Sequence, residues 1–323
     1  MKAVYIDQPG GPEALIYGER PAPTPAANEV LVKVAYSGVN FIDTYHRSGL
    51  YKLPTPAILG SEAAGTVEAV GEGVKGFNPG DRVAYAMARG SYAEYHAVPA
   101  SMLVHVPASV ELDVAAAVML QGMTAHYLTH STFELKPGHT CLIHAAAGGT
   151  GRLLVQMAAM IGARVIATVG SDEKAQLTLG DGASVAINYS THDFVEEVKK
   201  VTDGKGVNVV YDGVGQATFL KGLDCLKPRG TMVIFGNASG AVAPFDPLLL
   251  SAKGSLYVTR PTLANYISRE ELDWRSKDLF NWIAAGKLKV RIDRTYLLAE
   301  VAQAQIDLAA RKTTGKLLLD VNA

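Results

Sequence analysis

From residue 140 onward, short apolar segments alternate with helical patterns, and this alternation limits the fold more than any other feature of the chain. Five such apolar segments occur, at residues 140–143, 164–169, 184–189, 207–211 and 231–235. Parallel strands need long, usually helical, connections, and they are continuously apolar because helices cover both faces of the sheet. The pattern therefore predicts an α/β domain with a doubly wound parallel sheet.

A Gly-rich segment follows the first predicted strand. Residues 144–151 have the sequence HAAAGGTG, and a helical pattern covers 152–161. A helix that begins in such a turn exposes backbone N–H groups, which favours binding of a dinucleotide pyrophosphate. Glycine permits the tight turn and lets a ligand approach the backbone closely. Together with the alternation, the turn at residues 148–151 predicts a Rossmann domain.

The end of the second predicted strand indicates which dinucleotide binds. NAD-binding domains carry an Asp or Glu there, which bonds the ribose 2′-hydroxyl. Here the strand ends in Val169, Gly170 and Ser171. Ser171, Lys174 and Tyr189 are placed to meet a 2′-phosphate, so we predict NADPH as the cofactor. The alternative is NADH, because Asp172 or Glu173 could turn toward the ribose.

The remainder of the chain predicts a second, β-rich domain. Short segments rich in Val and Tyr, such as 30–36, 64–70 and 82–85, lie between Gly, Pro and Asn residues, which is typical of a small barrel or sandwich. Two late helical patterns, 270–285 and 299–310, and a strand at 316–321 have no partner in the nucleotide domain. We therefore expect a substrate domain at 1–120, the Rossmann domain at 121–256, and a return to the substrate domain at 257–323.

Composition excludes several classes of protein. The 323 residues are 48% hydrophobic and 19% charged, and the formal net charge is −1. No basic cluster points to nucleic acid, and no apolar run is long enough to span a bilayer. The two cysteines, Cys141 and Cys225, cannot build a disulfide framework and are expected to be buried and reduced. We expect a cytoplasmic protein that binds neither membranes nor nucleic acid.

Several segments together resemble a known family, and they run almost the full length of the chain. The chain is similar to zeta-crystallin-like quinone oxidoreductases, in the zinc-independent branch of the medium-chain dehydrogenases/reductases. The matching segments are 38–45, 47–51, 60–65, 145–151, 188–189, 235–240 and 254–261.

The resemblance implies a GroES-like substrate domain that carries an inserted Rossmann domain, in a homodimer or tetramer. It also implies a set of cofactor contacts, which includes Arg311 from the C-terminal segment. The contacts are Asn40, Thr124, Gly148, Gly149, Thr150, Gly151, Ser171, Lys174, Tyr189, Phe235, Gly236, Asn237 and Arg311.

Zinc-dependent relatives carry a Cys within the 38–43 segment and a His beside the Glu of the 60–65 segment. This chain has Asn40 and Ser61 there, and its scattered histidines (His46, His96, His126 and His144) lack a paired ligand spacing. We therefore expect no metal. Alcohol oxidation by hydride removal favours a Lewis acid that stabilises the alkoxide, whereas reduction of a quinone or enone asks for much less, because conjugation delocalises the incoming charge.

The resulting hypothesis is NADPH-dependent reduction of quinones without zinc, by hydride or single-electron transfer. Asn40, Tyr45 and Tyr51 are the candidate catalytic residues, since their side chains offer donors to the developing oxyanion and flat apolar faces to a ring. Ordinary packing is the competing explanation for both tyrosines. The alternative functions are an NADPH-dependent alkenal or enoyl-thioester C=C reductase and, more distantly, an NADPH-binding structural or RNA-binding protein.

Overall fold

The computed structural model, which describes residues 1–323, divides into two units of different architecture. Unit 1 joins residues 1–123 to residues 266–323, and unit 2 comprises residues 124–265, so unit 2 is an insertion in the chain of unit 1. The unit boundaries lie three and nine residues later than the predicted ones at 120 and 256. No helix of the chain combines the length and apolar character needed to cross a membrane.

The elements follow one another in the order that the sequence patterns indicate. The first ten are β1 Lys2–Ile6, β2 Ile16–Glu19, β3 Glu29–Val39, α1 Phe41–Ser48, β4 Ala57–Ile58, β5 Glu62–Val70, β6 Arg82–Ala86, β7 Tyr95–Pro99, β8 Leu103–His105 and α2 Leu112–Tyr127. Then come β9 Thr140–Ile143, α3 Gly149–Ile161, β10 Arg164–Val169, α4 Asp172–Gly180, β11 Val185–Asn188, α5 Phe194–Val201, β12 Val207–Asp212, α6 Phe219–Leu223, β13 Leu226–Ile234, α7 Leu248–Ala252 and β14 Tyr257–Thr259. The last four are α8 Arg269–Ala284, β15 Ile292–Leu297, α9 Val301–Ala309 and β16 Lys316–Asp320.

Unit 1 is built around the long strand β3. Its side chains alternate, with Val30, Val32 and Val34 fully buried and Lys33 exposed, as expected for a strand with one face on the core. A seven-stranded sheet has the order β15-β16-β3-β5-β6-β8, with β7 also paired to β3, and a three-stranded sheet has the order β2-β1-β4. The last strand, β16, pairs antiparallel with the end of β3 and so returns the chain to the first unit.

Unit 2 confirms the predicted doubly wound Rossmann sheet. Its six parallel strands have the order β11-β10-β9-β12-β13-β14. Successive strands run outward on both sides of β9, so the chain reverses direction across the sheet at β9. The sixth strand, β14, was not predicted, because three residues are too few to produce a recognisable apolar pattern. Its pairing with β13 keeps residues 257–265 with unit 2.

Candidate active site

The turn after β9 lies at the reversal point of the parallel sheet and leads into α3. Ala145 adopts a positive φ of 50°, and an added Cβ on Gly151 would stand 2.3 Å from the Ala145 carbonyl oxygen. The N-cap of α3, Gly148, has no side chain to bond the first turn, and the first intrahelical bond comes from the Arg152 N–H. The first N–H groups of α3 are therefore available to an anion, which suits a pyrophosphate.

The ends of β10 and β11 lie side by side, since Val169 pairs with Asn188. Ser171 follows β10 as the N-cap of α4, and its hydroxyl accepts from the Lys174 N–H at 3.3 Å. Tyr189 follows β11, is 43% exposed, and holds its hydroxyl so close to Gly170 that an added Cβ there would be 2.8 Å away. Two neighbouring strand ends thus carry the Ser171 hydroxyl, the N-terminus of α4 and the Tyr189 hydroxyl, and Lys174 lies in the first turn of α4. Groups of these kinds favour a phosphate.

Asp172 is engaged in a hydrogen bond within the same corner. The Asn188 amide donates to its carboxylate at 2.8 Å. The two residues therefore hold each other at the surface of unit 2. This contact bears on the choice of cofactor, because Asp172 is one of the two acids that could have bonded a ribose 2′-hydroxyl.

A third loop at the same edge of the sheet follows β13 and contains Phe235, Gly236 and Asn237. An added Cβ on Gly236 would stand 2.3 Å from the Gly213 carbonyl oxygen, and the Phe235 ring covers Gly213. Arg260 donates to the carbonyl at the end of β13 at 2.9 Å, and its other terminal nitrogen meets the Asn237 amide oxygen at 2.9 Å. The close backbone crossing and the arginine together fix this loop beside the turn that follows β12.

Asn40 lies in unit 1, immediately before α1, and is 3% exposed. Its amide nitrogen donates to Glu62 Oε2 at 2.8 Å and to the Gly38 carbonyl at 3.3 Å. Its amide oxygen accepts from Lys316 Nζ at 2.7 Å and from Gln121 Nε2 at 3.5 Å. The side-chain amide is therefore surrounded by protein partners on both its oxygen and its nitrogen.

Asp43, one turn into α1, anchors the helix to the core of unit 1. Its carboxylate accepts from the Asn40 N–H at 2.9 Å, from the Ser61 hydroxyl at 2.8 Å and from the Tyr92 hydroxyl at 2.8 Å. The residue is fully buried, and burial raises the pKa of this carboxyl to about 6 in spite of the three hydrogen bonds. The start of α1 is therefore held by one backbone N–H and by two side-chain hydroxyls.

Tyr45 and Tyr51 form the centre of a small aromatic group. Their rings meet edge to face at 5.2 Å, Phe41 lies 6.2 Å from Tyr45, and His46 lies 6.0 Å from Tyr51. The Tyr51 N–H donates to the Tyr45 carbonyl at 3.1 Å, so a backbone hydrogen bond ties the segment after α1 to the helix. Both tyrosines are half-buried, and such rings offer a flat apolar surface together with polar ends.

The other two predicted contacts are placed differently. Thr124 is 8% exposed within α2, at the first residue of unit 2. Arg311 is exposed just after α9 in unit 1, with a positive φ of 57°. Asn40, Tyr45, Tyr51 and Arg311 thus belong to unit 1, whereas the remaining predicted cofactor contacts belong to unit 2.

The residues around Glu62 do not fit a zinc ion. Glu62 is paired with the Lys316 ammonium, and the Asn40 amide nitrogen donates to it, so its oxygens already serve donors. No group of three or more His, Cys, Asp or Glu side chains in the chain is placed to hold a metal. The histidines contact other partners: His96 bonds Tyr85, and His144 bonds Thr168, each at 2.8 Å.

Lys316 is the functional candidate that the sequence analysis missed. It is the first residue of β16 and is followed by three leucines. A single lysine at the terminus of an apolar strand is usually exposed to solvent, so its sequence context gives no sign of burial. Its ammonium is nevertheless 1% exposed and is paired with Glu62, which lies 254 positions earlier in the chain. Only the fold brings these two residues together.

Comparison with known proteins agrees with this architecture. Two family models match the chain: an alcohol dehydrogenase GroES-like domain over residues 26–108 and a zinc-binding dehydrogenase over residues 149–274. A quinone oxidoreductase of Pseudomonas aeruginosa is 48% identical over 321 residues, which cover 98% of this chain and 99% of that protein. A 2-haloacrylate reductase of Burkholderia is 43% identical and covers 99% of this chain and 98% of its own length.

The solved structure of Escherichia coli quinone oxidoreductase, complexed with NADPH, superimposes with a TM-score of 0.98. It is 46% identical to this chain and covers 99% of it, and all of that structure is matched. The resemblance seen in the sequence segments is thus confirmed along the whole chain. The chain belongs to the quinone oxidoreductase family of the medium-chain dehydrogenases/reductases.

Proposed function

We propose that this protein reduces quinones with NADPH. The observation that carries the proposal is the full-length similarity to proteins named quinone oxidoreductase, one of which is solved with NADPH bound. NADPH supplies a hydride when it is bound. A quinone accepts it without a Lewis acid, since the negative charge that arrives is spread over a conjugated carbonyl.

Unit 2 holds the cofactor in this proposal. The N–H groups of Gly149, Thr150 and Gly151 bind the pyrophosphate, and the loop at 235–237 lies against the same ligand. Ser171, Lys174 and Tyr189 bind the 2′-phosphate. The N-terminus of α4 at Ser171 and the Tyr189 hydroxyl close to Gly170 support this assignment. Thr124 and Arg311 complete the proposed contacts.

Unit 1 supplies the groups that meet the quinone. The rings of Tyr45 and Tyr51 form the surface against which a flat substrate stacks, and their hydroxyls donate to its oxygens as charge develops. Asn40 does not donate to the quinone in this proposal but holds the start of α1 in place. Its side-chain amide already bonds four other residues, Glu62, Gly38, Lys316 and Gln121. Water supplies the proton that completes the hydroquinone.

Reduction of a conjugated C=C bond is a second candidate function. It is favoured by the 43% identity to a 2-haloacrylate reductase, whose substrate is an unsaturated acid. Both reactions deliver a hydride to a conjugated acceptor, so the same cofactor site serves either. The two candidates differ only in the acceptor that unit 1 accommodates.

A substrate panel at fixed NADPH concentration separates the two. 1,4-Benzoquinone and 9,10-phenanthrenequinone represent quinones, and 2-chloroacrylate, crotonaldehyde and a crotonyl thioester represent C=C acceptors. We expect kcat/KM to be highest for a quinone. Turnover of a C=C acceptor alone would replace the first candidate by the second.

We further propose that the protein is a cytosolic homodimer. The edge strand β14 supports a dimer, since it leaves one side of the parallel sheet unpaired and carries Tyr257, which is 61% exposed. Light scattering coupled to size-exclusion chromatography measures the mass directly. We expect twice the chain mass of 34.2 kDa, and a monomer would contradict the proposal.

A further inference from the structure

A fully buried ion pair lies next to α1, and the proposed chemistry does not use its charges directly. Lys316 is 1% exposed and Glu62 is 0% exposed. An added Cβ on Gly38 would stand 2.2 Å from Glu62 Oε2 and 2.8 Å from Lys316 Cε. The core of unit 1 thus accommodates this pair only because the neighbouring position on β3 has no side chain.

Stability alone does not account for such a pair. Removing a carboxylate and an ammonium from water is costly for each ion, and apolar residues of similar volume often stabilise a core as well or better. The pair also makes hydrogen bonds to other parts of unit 1. The second oxygen of Glu62 accepts from the Leu120 N–H in α2 at 2.5 Å.

The pair fixes the orientation of the Asn40 amide. The ammonium of Lys316 attracts the amide oxygen at 2.7 Å, and the carboxylate of Glu62 attracts the amide nitrogen at 2.8 Å. A flipped amide would place like groups against each other at both contacts. Because Asn40 is the N-cap of α1, and its N–H bonds Asp43, fixing this residue fixes the start of the helix.

We propose that Lys316 is a positioning residue for quinone reduction. With Glu62 it holds Asn40, and through Asn40 and α1 it sets the positions of the Tyr45 and Tyr51 hydroxyls. The same pair explains why these residues do not fit a zinc ion, since the ammonium occupies the acceptors that a metal would need. The inference rests on the function proposed above.

The test compares the Lys316→Met/Glu62→Gln variant with the wild type and with Lys33→Met. The double change removes both charges, so no buried ion is left without its partner. Lys33 is an exposed lysine in β3 of the same sheet and serves as the matched control. We expect the double variant to fold and to bind NADPH as the wild type does. Its kcat with 9,10-phenanthrenequinone should fall about 10- to 100-fold, as displaced catalytic groups produce.

A double-mutant cycle tests whether Lys316 acts through Asn40. Asn40→Ala and the paired change Lys316→Met/Glu62→Gln are measured alone and together, so that neither buried ion is left without its partner. If Lys316 works by holding Asn40, the second change adds little to the loss of kcat caused by the first. Additive losses would show that Lys316 acts independently of Asn40 and would overturn the proposal.

Hydrogen exchange of the 41–51 peptide gives a readout other than activity, with faster exchange expected in Lys316→Met/Glu62→Gln than in Lys33→Met. A double variant that fails to fold, or one with wild-type kcat, contradicts the positioning role. A wild type that oxidises no NADPH with any quinone defeats the proposed function instead. The two failures are therefore distinguishable.

Discussion

Lys174 and Ser171 lie where β10 ends, and their roles toward NADPH can be measured separately from the fold. A hydrogen bond to a charged group contributes about 1.5–3 kcal/mol, so Lys174→Ala should weaken NADPH binding roughly 10- to 100-fold. The affinity for NADH should stay unchanged. Titration of the bound nicotinamide's fluorescence gives both dissociation constants, and Lys200→Ala, an exposed lysine of α5, is the control. Equal losses for the two cofactors would remove Lys174 from the phosphate site.

Tyr45 and Tyr51 are proposed to act through their hydroxyls, and phenylalanine removes only those. Because the edge-to-face ring contact at 5.2 Å is kept, Tyr45→Phe/Tyr51→Phe should fold normally. Loss of oxyanion donors should lower kcat for quinones by roughly 100-fold. Steady-state kinetics at saturating NADPH measures it. Unchanged turnover with both hydroxyls absent would leave the two tyrosines a packing role only.

Asp43 makes the stability of unit 1 depend on pH. Burial raises the pKa of its carboxyl from 3.8 to about 6, so the native state binds this proton more tightly than the unfolded chain does. The resulting stabilisation is complete below the pKa that this carboxyl has in the unfolded chain, and it is lost as the pH rises through about 6. Relative to Asp43→Asn, the free energy of unfolding of the wild type should fall by about 2 kcal/mol between about pH 4.5 and 7.5.

Urea denaturation of both proteins at several pH values measures this difference. The comparison with Asp43→Asn matters because another buried group titrates in the opposite sense. Burial lowers the pKa of His96 to about 4. The contribution of His96 to the free energy of unfolding therefore grows as the pH rises, and it does so equally in both proteins. A difference between wild type and variant that does not change with pH would contradict the raised pKa of the Asp43 carboxyl.

At the scale of elements, the start of α3 depends on one glycine. An added Cβ on Gly151 would stand 2.3 Å from the Ala145 oxygen, so Gly151→Ala must shift the turn that faces the pyrophosphate. We expect NADPH affinity to fall at least tenfold, as loss of a charge-assisted hydrogen bond would cause. Isothermal titration calorimetry measures the affinity.

Gly180, at the end of α4, is the matched control, because an added Cβ there meets nothing within 4 Å. Gly180→Ala should leave NADPH binding unchanged and stabilise the chain by about 0.4–1 kcal/mol. If both alanines bound NADPH as the wild type does, the close approach at Gly151 would have no functional role.

The elements of unit 2 were predictable because local patterns determine them. Continuous apolar strands and the Gly-rich turn follow from parallel pairing and from backbone geometry, so β9 and β10 fall where the sequence indicates. The strand β14 was missed because pairing to β13, and not its own three residues, makes it a strand. Short edge strands are decided by their neighbours in the sheet.

At the scale of the whole molecule, the candidate site was only partly predictable. Ser171 and Tyr189 follow strand ends, so their placement could be read from the chain. The cluster of Asn40, Glu62 and Lys316 could not, because Lys316 returns to β3 from the far end of the chain, 276 positions after Asn40. A buried ion pair that joins distant segments leaves no local signature in the sequence.

The central claim is that this fold couples NADPH oxidation to quinone reduction. The most direct measurement follows absorbance of the reduced nicotinamide with 9,10-phenanthrenequinone, using NADPH and NADH in parallel at equal concentrations. We predict quinone-dependent oxidation with kcat/KM for NADPH roughly 10- to 100-fold above that for NADH, the factor expected from a bound 2′-phosphate. Equal use of both cofactors would contradict the 2′-phosphate site, and no oxidation with any quinone would contradict the function.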